Sequence, residues 1–534
     1  MDIDCPFGQK GLVAQLVEQF PFKEEVLGSN PSQVTNMRVS LCTLGCKLNQ
    51  AETEELKKTL IAKGFSVVPF KEHADIAIVR ACAVTANASQ TTRGLIRRAK
   101  RRGAYVIAGG CLENRDLPEI DFWARDEGEI EKRIIALRGE RHAELVSASL
   151  PASKKILKQV QDDKREGALS QDNSISVANR TRAMIKIQTG CNFNCAYCVV
   201  PHFRGKSKSV PSEKIIQDIK EAEKNGYKEI VLTGVNICQH QDPLLISPLL
   251  RGRQNDGGLP LNPPLGKRGR KNNSGAPSAI GLADLLKKIL RETKIERIRL
   301  GSLDPRLIGD DLIKLFTDKL DSPSFPLFTR GGHKRESTHL IKSGKNSIRL
   351  MPHWHLSLQS GSDSILQKMN RGYTTKKYLA IVKKLRRANP LFSFTTDIIV
   401  GFLGETEKEF LATVAFVKKI GFSKVHIFPF SPRPNTPAQK MTGQIQDKIK
   451  TERVMRLKKI CEQVATDFAK KFISKTRPVL FEPYTKKVQG KNKKSGLWAG
   501  YTPEYLRVAL RSKKNLRNQI KKIKIGKDSS LRSE

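Results

Sequence analysis

From Ala183 to Phe430 one local pattern recurs six times. The apolar runs AMIKIQ, KEIVLTG, RIRLGS, HWHLSLQ, FTTDIIVGF and KVHIFPF are separated by amphipathic stretches such as PSEKIIQDIKEAEKNG and TTKKYLAIVKKLRRA. A short apolar run ended by a glycine or polar residue reads as a strand buried on both faces, and apolar residues every three to four positions read as a helix. Consecutive βα units pair in parallel and curl, so six of them predict an open or partial (βα)6 barrel. The expected fold class is α/β.

The alternation also occurs earlier, on a smaller scale. RVSLCTLG (38–45), ADIAIV (74–79) and AYVIAGG (104–110) read as strands, and AETEELKKTLIAKG (51–64) and TANASQTTRGLIRRAK (85–100) as helices. They predict a small parallel α/β domain over 37–140, ahead of the barrel at 181–440. A connecting helix is expected over 441–475, then a small β-barrel over 476–526 and a tail at 527–534. Four stretches fit no element: 1–36, about 141–180, 241–279 and 321–347. The first reads as a non-native or disordered extension and the second as a linker. The last two, aperiodic and rich in Pro, Gly and Arg, read as disordered insertions in the barrel, because exposed loops accept extra residues at little cost.

Lysine and arginine number 96 against 53 aspartates and glutamates, a formal net charge of +43. Such a field attracts polyanions, nucleic acid first. No apolar run reaches the roughly eighteen residues of a membrane span, and the N-terminus lacks the features of a secretory signal. A cytoplasmic location is expected. In that compartment the ten cysteines, clustered rather than evenly paired, favour metal or redox chemistry over disulfides.

GCNFNCAYC places Cys191, Cys195 and Cys198 just after the first barrel strand, at the mouth where barrel active sites are built. A four-thiolate zinc site needs another cysteine nearby, and none follows Cys198 until Cys238. Three thiolates on a [4Fe–4S] cluster leave one iron open to a small molecule. The CxxxCxxC spacing, with Tyr197 before the last cysteine, resembles the radical S-adenosylmethionine superfamily. There the open iron chelates the amino and carboxylate groups of the cofactor, and reduction yields a 5′-deoxyadenosyl radical. By that resemblance the three cysteines are cluster ligands and catalytic.

Cys46, Cys82 and Cys111 each follow a strand of the first domain, where a doubly wound sheet gathers ligands, so a second three-thiolate cluster is expected there. Two such clusters and a C-terminal β-barrel resemble the methylthiotransferase family of radical S-adenosylmethionine enzymes. The likeness rests on TLGCKLNQAE, ACAVTANA, GGCLE, KIQTGCNFNCAYCVVPHFRG, LTGVN, HLSLQSGSDSILQKMNRGYT, DIIVGFLGETEKEF and FPFSPRPNTPA. Arg80-Ala81 stands where the family usually has Asn-Thr, Val210 where it has Arg and Asn435 where it has Gly.

The resemblance implies replacement of an aromatic C–H by C–S–CH3, with two S-adenosylmethionine consumed and an electron donor such as flavodoxin or ferredoxin. One S-adenosylmethionine would methylate a sulfur held at the N-terminal cluster, and the other would be cleaved at the barrel cluster. It places cofactor contacts on Thr233, Gly234, Asn236, Ser357, Gln359, Asp397 and the backbone near Ile427.

LGCKLNQAE, RLGSLDP and NRGYTT look most like the branch acting on threonylcarbamoyladenosine beside the tRNA anticodon. Sister branches, acting on isopentenyladenosine in tRNA or on a ribosomal-protein aspartate, stay open as alternatives. So does a non-catalytic RNA-binding protein with structural iron or zinc sites. The last segment resembles a TRAM RNA-binding domain. A monomer is expected to hold the anticodon stem-loop through phosphate contacts from Lys486, Lys487, Lys491, Lys493, Lys494, Arg507, Arg511, Lys513 and Lys514. Arg204 is expected at a substrate phosphate, and Trp498 or Tyr501 against a base. Cys5, Cys42, Cys238 and Cys461 are expected to hold no cluster.

Overall fold

The computed structural model describes residues 37–82, 86–112, 117–148, 181–242, 281–317, 349–483 and 496–526. The N-terminal extension, most of the linker and both insertions, the tail, and Lys486, Lys487, Lys491, Lys493 and Lys494 lie outside the described residues. No described helix is long and apolar enough to cross a membrane.

The first sheet contains β1 (Arg38–Thr43), β2 (Ser66–Val68), β3 (Ile76–Ala81), β4 (Tyr105–Gly110) and β5 (Phe122–Ala124), all parallel, in the order β2-β1-β3-β4-β5. Every residue of β3 is buried, which is why IAIVRA shows no alternation. The sequence reading misses β2 and β5, because SVV and FWA are too short to show a period. Helices α1 (Lys47–Ala62), α2 (Ala86–Arg101) and α3 (Glu127–Ala148) pack on the sheet. Helix α3 runs past the expected start of the linker, since residues 141–148 contain no Gly or Pro to stop it. Strand order reverses between β1 and β3, so their C-terminal ends border a crevice.

The second unit is the expected partial barrel. Its strands are β6 (Arg182–Lys186), β9 (Glu229–Thr233), β10 (Arg297–Leu300) continued by β11 (Ser302–Leu303), β12 (His353–Leu356), β13 (Ser393–Val400) and β14 (Lys424–Pro429). They pair in parallel, in chain order. The break between β10 and β11 falls at Gly301, where a Cβ would lie 2.7 Å from the Leu232 carbonyl oxygen. The ribbon β7 (Gln188–Thr189) and β8 (Lys208–Ser209) frames the cysteine loop. Helices α4 (Val200–Arg204), α5 (Ser212–Lys224), α6 (Leu282–Glu292), α7 (Asp310–Thr317), α8 (Asp363–Lys368), α9 (Thr375–Ala388) and α10 (Glu407–Ile420) connect the strands. Between strands and helices sits one apolar core around Trp354, Tyr378, Phe394 and Phe410. A capping box, Thr406 with Glu409, starts α10, and Gly421 in the left-handed region ends it.

Helix α11 (Asp447–Lys470) packs against β14 and leads to β15 (Thr476–Phe481), β16 (Gly496–Tyr501), β17 (Arg507–Ser512) and β18 (Ile520–Lys524). Among the described residues these four form an antiparallel sheet, β17-β16-β15-β18. It seats on the N-terminal end of the barrel. Arg297 donates to the carbonyls of Tyr501 and Pro478 at 3.1 and 2.8 Å, and Arg182 pairs with Glu482 at 2.6 Å. Arg299, fully buried, holds Glu229 at 2.8 Å and donates to the carbonyls of Thr502 and Pro503. Tyr501 is therefore no platform for a base: its ring is buried, 4.7 Å from that of Tyr505 and beneath the Arg182 guanidinium.

Candidate active site

The loop carrying Cys191, Cys195 and Cys198 starts at Gly190, whose φ is +70° and whose Cβ would fall 2.1 Å from the Lys206 carbonyl oxygen. Only glycine fits there. Neighbouring elements then pin the loop: Cys191 N–H donates to Gly205, Ala196 N–H to Met369, and Ala438 N–H to Ala196. Arg371 and Arg306 both donate to Cys195 Sγ, at 3.3 and 3.5 Å, and Asp304 holds the two guanidiniums at 3.1 and 2.6 Å. Arg306 also lies on the Phe193 ring, 3.4 Å from its centroid. These partners escaped the sequence reading, although RLGSLDP and MNRGYT both lie in quoted motifs; nothing local says which residues of a motif meet a sulfur.

Burial, opposed by a bond from the Val200 backbone, pushes the Cys198 thiol up to about 12, and Cys191 is raised for the same chief reason. Cys191, Cys195 and Cys198 lie on this one pinned loop. Buried thiols that resist ionising alone, with two arginines on one sulfur, suit a cationic group that takes them as thiolates. Among the described residues no three Cys, His, Asp or Glu side chains converge closely enough for one metal ion to bind them all. The donor set fits a cluster whose irons take one thiolate each.

The predicted cofactor residues lie on or just past four barrel strands: Thr233, Gly234 and Asn236 at the end of β9, Ser357 and Gln359 after β12, and Asp397 and Ile427 within β13 and β14. Thr233 closes β9, and Gly234 leaves no space for a Cβ, which would be 2.7 Å from the Gln188 carbonyl oxygen. Asn236 receives a bond from Cys238 N–H, and its own N–H donates to Gln188 Oε1 at 2.9 Å. Ser357 N–H donates to Leu303. Gln359 stands in the left-handed region at φ +71°, held between Asp397 and Ile399 of β13. A non-glycine residue there is strained, a feature that collects at functional sites. Burial works against the Asp397 carboxylate, but His355, donating at 3.1 Å, outweighs it and holds Asp397 below the usual range. Ile427 on β14 pairs with Ile398 of β13.

The other three thiols lie on the loops at the C-terminal edge of the first sheet. Cys46 precedes α1, Cys82 follows β3 and Cys111 follows β4. Gly45, at φ +95°, lets its loop close on Cys82: a Cβ would sit 2.9 Å from that sulfur. Cys111 N–H donates to Ala81, and Asn49 Nδ2 ties the Leu44 and Ala81 carbonyls together at 2.7 and 3.0 Å. Arg80, the departure from the family pattern, is buried and paired with Glu52 and Glu127, both at 2.6 Å.

Arg204 is not where the sequence put it. Instead of facing a surface phosphate, its side chain is 9% exposed and its guanidinium meets Glu52 at 2.7 Å, Asn49 and Thr189. Its charge works against the burial that pushes the Cys111 thiol up. One arginine from the barrel's cysteine loop thus closes onto the other cysteine set. Arg511, Lys513 and Lys514 are exposed on and after β17, and Arg507 is half-buried on the same strand.

A parallel sheet with three thiols at its C-terminal edge, beside a partial barrel with three thiols at its mouth, defines a radical S-adenosylmethionine enzyme carrying an additional N-terminal domain. The family described as uncharacterized protein family UPF0004 matches residues 38–124, and the radical SAM superfamily matches 185–256 and 270–417. The threonylcarbamoyladenosine tRNA methylthiotransferase MtaB of Thermotoga maritima is 33% identical, over 88% of this chain and 90% of its own. The protein of that name from Aquifex aeolicus is 32% identical, over 82% and 90%. The tRNA-2-methylthio-N(6)-dimethylallyladenosine synthase of Clostridium novyi is 28% identical, over 86% and 88%. The chain belongs to the radical S-adenosylmethionine methylthiotransferase family, in its MtaB branch, and [4Fe–4S] clusters and S-adenosylmethionine are its cofactors.

Proposed function

We propose that the chain converts threonylcarbamoyladenosine beside the tRNA anticodon to its 2-methylthio derivative, consuming two S-adenosylmethionine. The observation that carries this reading is the reach of Arg204: six residues after Cys198, it binds Glu52 and Asn49 on the helix that follows Cys46, so both thiol sets border one reaction space. The branch is supported by identity of 33% and 32% to two MtaB proteins, against 28% to a dimethylallyladenosine synthase.

When bound, the clusters and S-adenosylmethionine supply the radical chemistry that an unactivated aromatic C–H requires. The protein's part is placement and exclusion of water. In this reading Cys46, Cys82 and Cys111 hold one cluster and Cys191, Cys195 and Cys198 the other. Thr233, Gly234, Asn236, Ser357, Gln359, Asp397 and Ile427 seat the cofactor, while Arg299 and Tyr505 seal the barrel floor. The TRAM-like segment, 476–526, grips phosphates of the anticodon stem-loop through Arg507, Arg511, Lys513 and Lys514. The chain works as a cytoplasmic monomer, with flavodoxin or ferredoxin as electron donor. Mass spectrometry of tRNA nucleosides from a deletion strain tests the assignment: 2-methylthio-threonylcarbamoyladenosine is expected to vanish and its precursor to accumulate. Unchanged nucleosides reject it.

A further inference from the structure

Lys47 is the first residue of α1, directly after Cys46. A cation at a helix N-terminus opposes the helix dipole, and the first turn holds no acidic residue to offset it. A residue that breaks a local rule without local compensation is commonly held there for function. The Lys47 ammonium lies 5.7 Å from the Tyr505 ring centroid. That ring is itself enclosed by barrel strands: it stacks on His353 of β12 at 4.8 Å and lies 5.4 and 4.7 Å from the guanidiniums of Arg182 on β6 and Arg299 on β10. Lys47 therefore points into the lumen of the barrel.

The other ionisable groups there already have polar partners. Arg182 has Glu482 at 2.6 Å, Arg299 has Glu229 at 2.8 Å, and Asp397 has His355 at 3.1 Å. Among the described residues the Lys47 ammonium has the Tyr505 ring and no carboxylate within ion-pair distance. A half-buried ammonium with no carboxylate in ion-pair contact, facing the barrel interior, can receive one. Its place in the chain says which. The backbone turn that presents Cys46 also presents Lys47, so the sulfur-bearing centre and the cation keep a set separation. In adenine, C2 and C6 flank N1, and a base held with C2 toward that centre turns its N6 substituent along the neighbouring wall.

We propose that Lys47 is a specificity-determining residue, binding the carboxylate on the N6 substituent of the target adenosine. The inference deepens the function proposed above and rests on it. A dimethylallyl group has no charge to offer this lysine, so Lys47 would separate the two tRNA branches. The carboxylate of S-adenosylmethionine is the competing source of the same chemistry.

The test uses the full chain with reconstituted clusters and three anticodon stem-loops, carrying threonylcarbamoyl-, dimethylallyl- or unsubstituted adenosine, with binding read by fluorescence anisotropy. The wild type is expected to prefer the threonylcarbamoyl stem-loop. Lys47→Met and Lys47→Gln are each expected to lose that preference by about 10- to 100-fold, the value of one charge-assisted bond in an enclosed site. Binding of the unsubstituted stem-loop and of S-adenosylmethionine is expected to hold, and Lys47→Arg to keep most of the preference. A neutral variant that retains the preference, or loses S-adenosylmethionine affinity by the same factor, overturns the inference alone. A wild type that prefers the dimethylallyl stem-loop overturns the proposed function and the inference together.

Discussion

Arg204 and Glu52 meet at 2.7 Å with side chains 9% and 4% exposed, joining the barrel's cysteine loop to the helix that follows Cys46. Glu52 also carries Arg80 at 2.6 Å, so two guanidiniums share one buried carboxylate, which they hold below its usual range despite burial. Removing Arg204 leaves Glu52 with a single arginine and breaks the bonds to Asn49 and Thr189. Breaking a buried pair costs about 3–5 kcal/mol, and Arg80 offsets part of that. Arg204→Ala is expected to lower the denaturation midpoint and to cut methylthiolation far more than RNA-free deoxyadenosine release. Equal losses in both reactions would show that the arginine only maintains the fold.

The two thiol sets are expected to separate chemically. Cys195→Ala should abolish deoxyadenosine formation, and Cys46→Ala should leave it while ending methylthiolation. Each variant should carry about four irons fewer than the wild type after anaerobic reconstitution. Cleavage persisting in Cys195→Ala would remove that loop from the cofactor site.

Arg371 donates to Cys195 Sγ at 3.3 Å and to Tyr197 Oη at 3.4 Å. A hydrogen-bonded cation at a ligand sulfur favours the reduced, more negative cluster. Arg371→Met is expected to shift the barrel cluster to a lower reduction potential in an electron-paramagnetic-resonance titration. An unmoved potential would confine Arg371 to tying the loop to Asp304.

Tyr505 titrates unusually. Burial alone would raise its phenol, but Arg182, Lys47 and Arg299 outweigh it and bring it down to about 8. An unfolded tyrosine keeps its proton to about pH 10. Across that window the unfolded state binds more protons, so stability rises with pH from about 8 to about 10. The contribution is complete above the window and disappears as pH falls through about 8. Denaturation midpoints over this range, with and without Tyr505→Phe, check it: the variant should lose the rise, and a parallel slope would contradict it.

Arg511, Lys513 and Lys514 stand exposed on and after β17. Each phosphate contact removed should weaken tRNA binding and reduce its salt slope by about 0.7–0.9. Affinity measured against salt for single alanine variants decides; an unchanged slope would place the RNA elsewhere.

Much of this was legible along the chain. Six barrel strands, the two cysteine sets and the connecting helix follow from period, spacing and turn residues, because burial on both faces and a metal-binding loop each leave a mark within a few neighbouring residues. Strands β2 and β5, three residues each, leave no such mark and exist because longer neighbours offer them an edge. What a charged side chain does was decided by packing. Arg204 reads as a phosphate-binding cation until the first sheet meets the barrel, and Tyr501 as a base platform until the last sheet seals the barrel floor. Arg204 lies 152 residues from Glu52, and Arg182 lies 323 from Tyr505, separations at which no sequence period operates. Identity and spacing therefore set which chemistry the chain can carry, and the docking of three units set which charges are paired and which one is left to find a ligand.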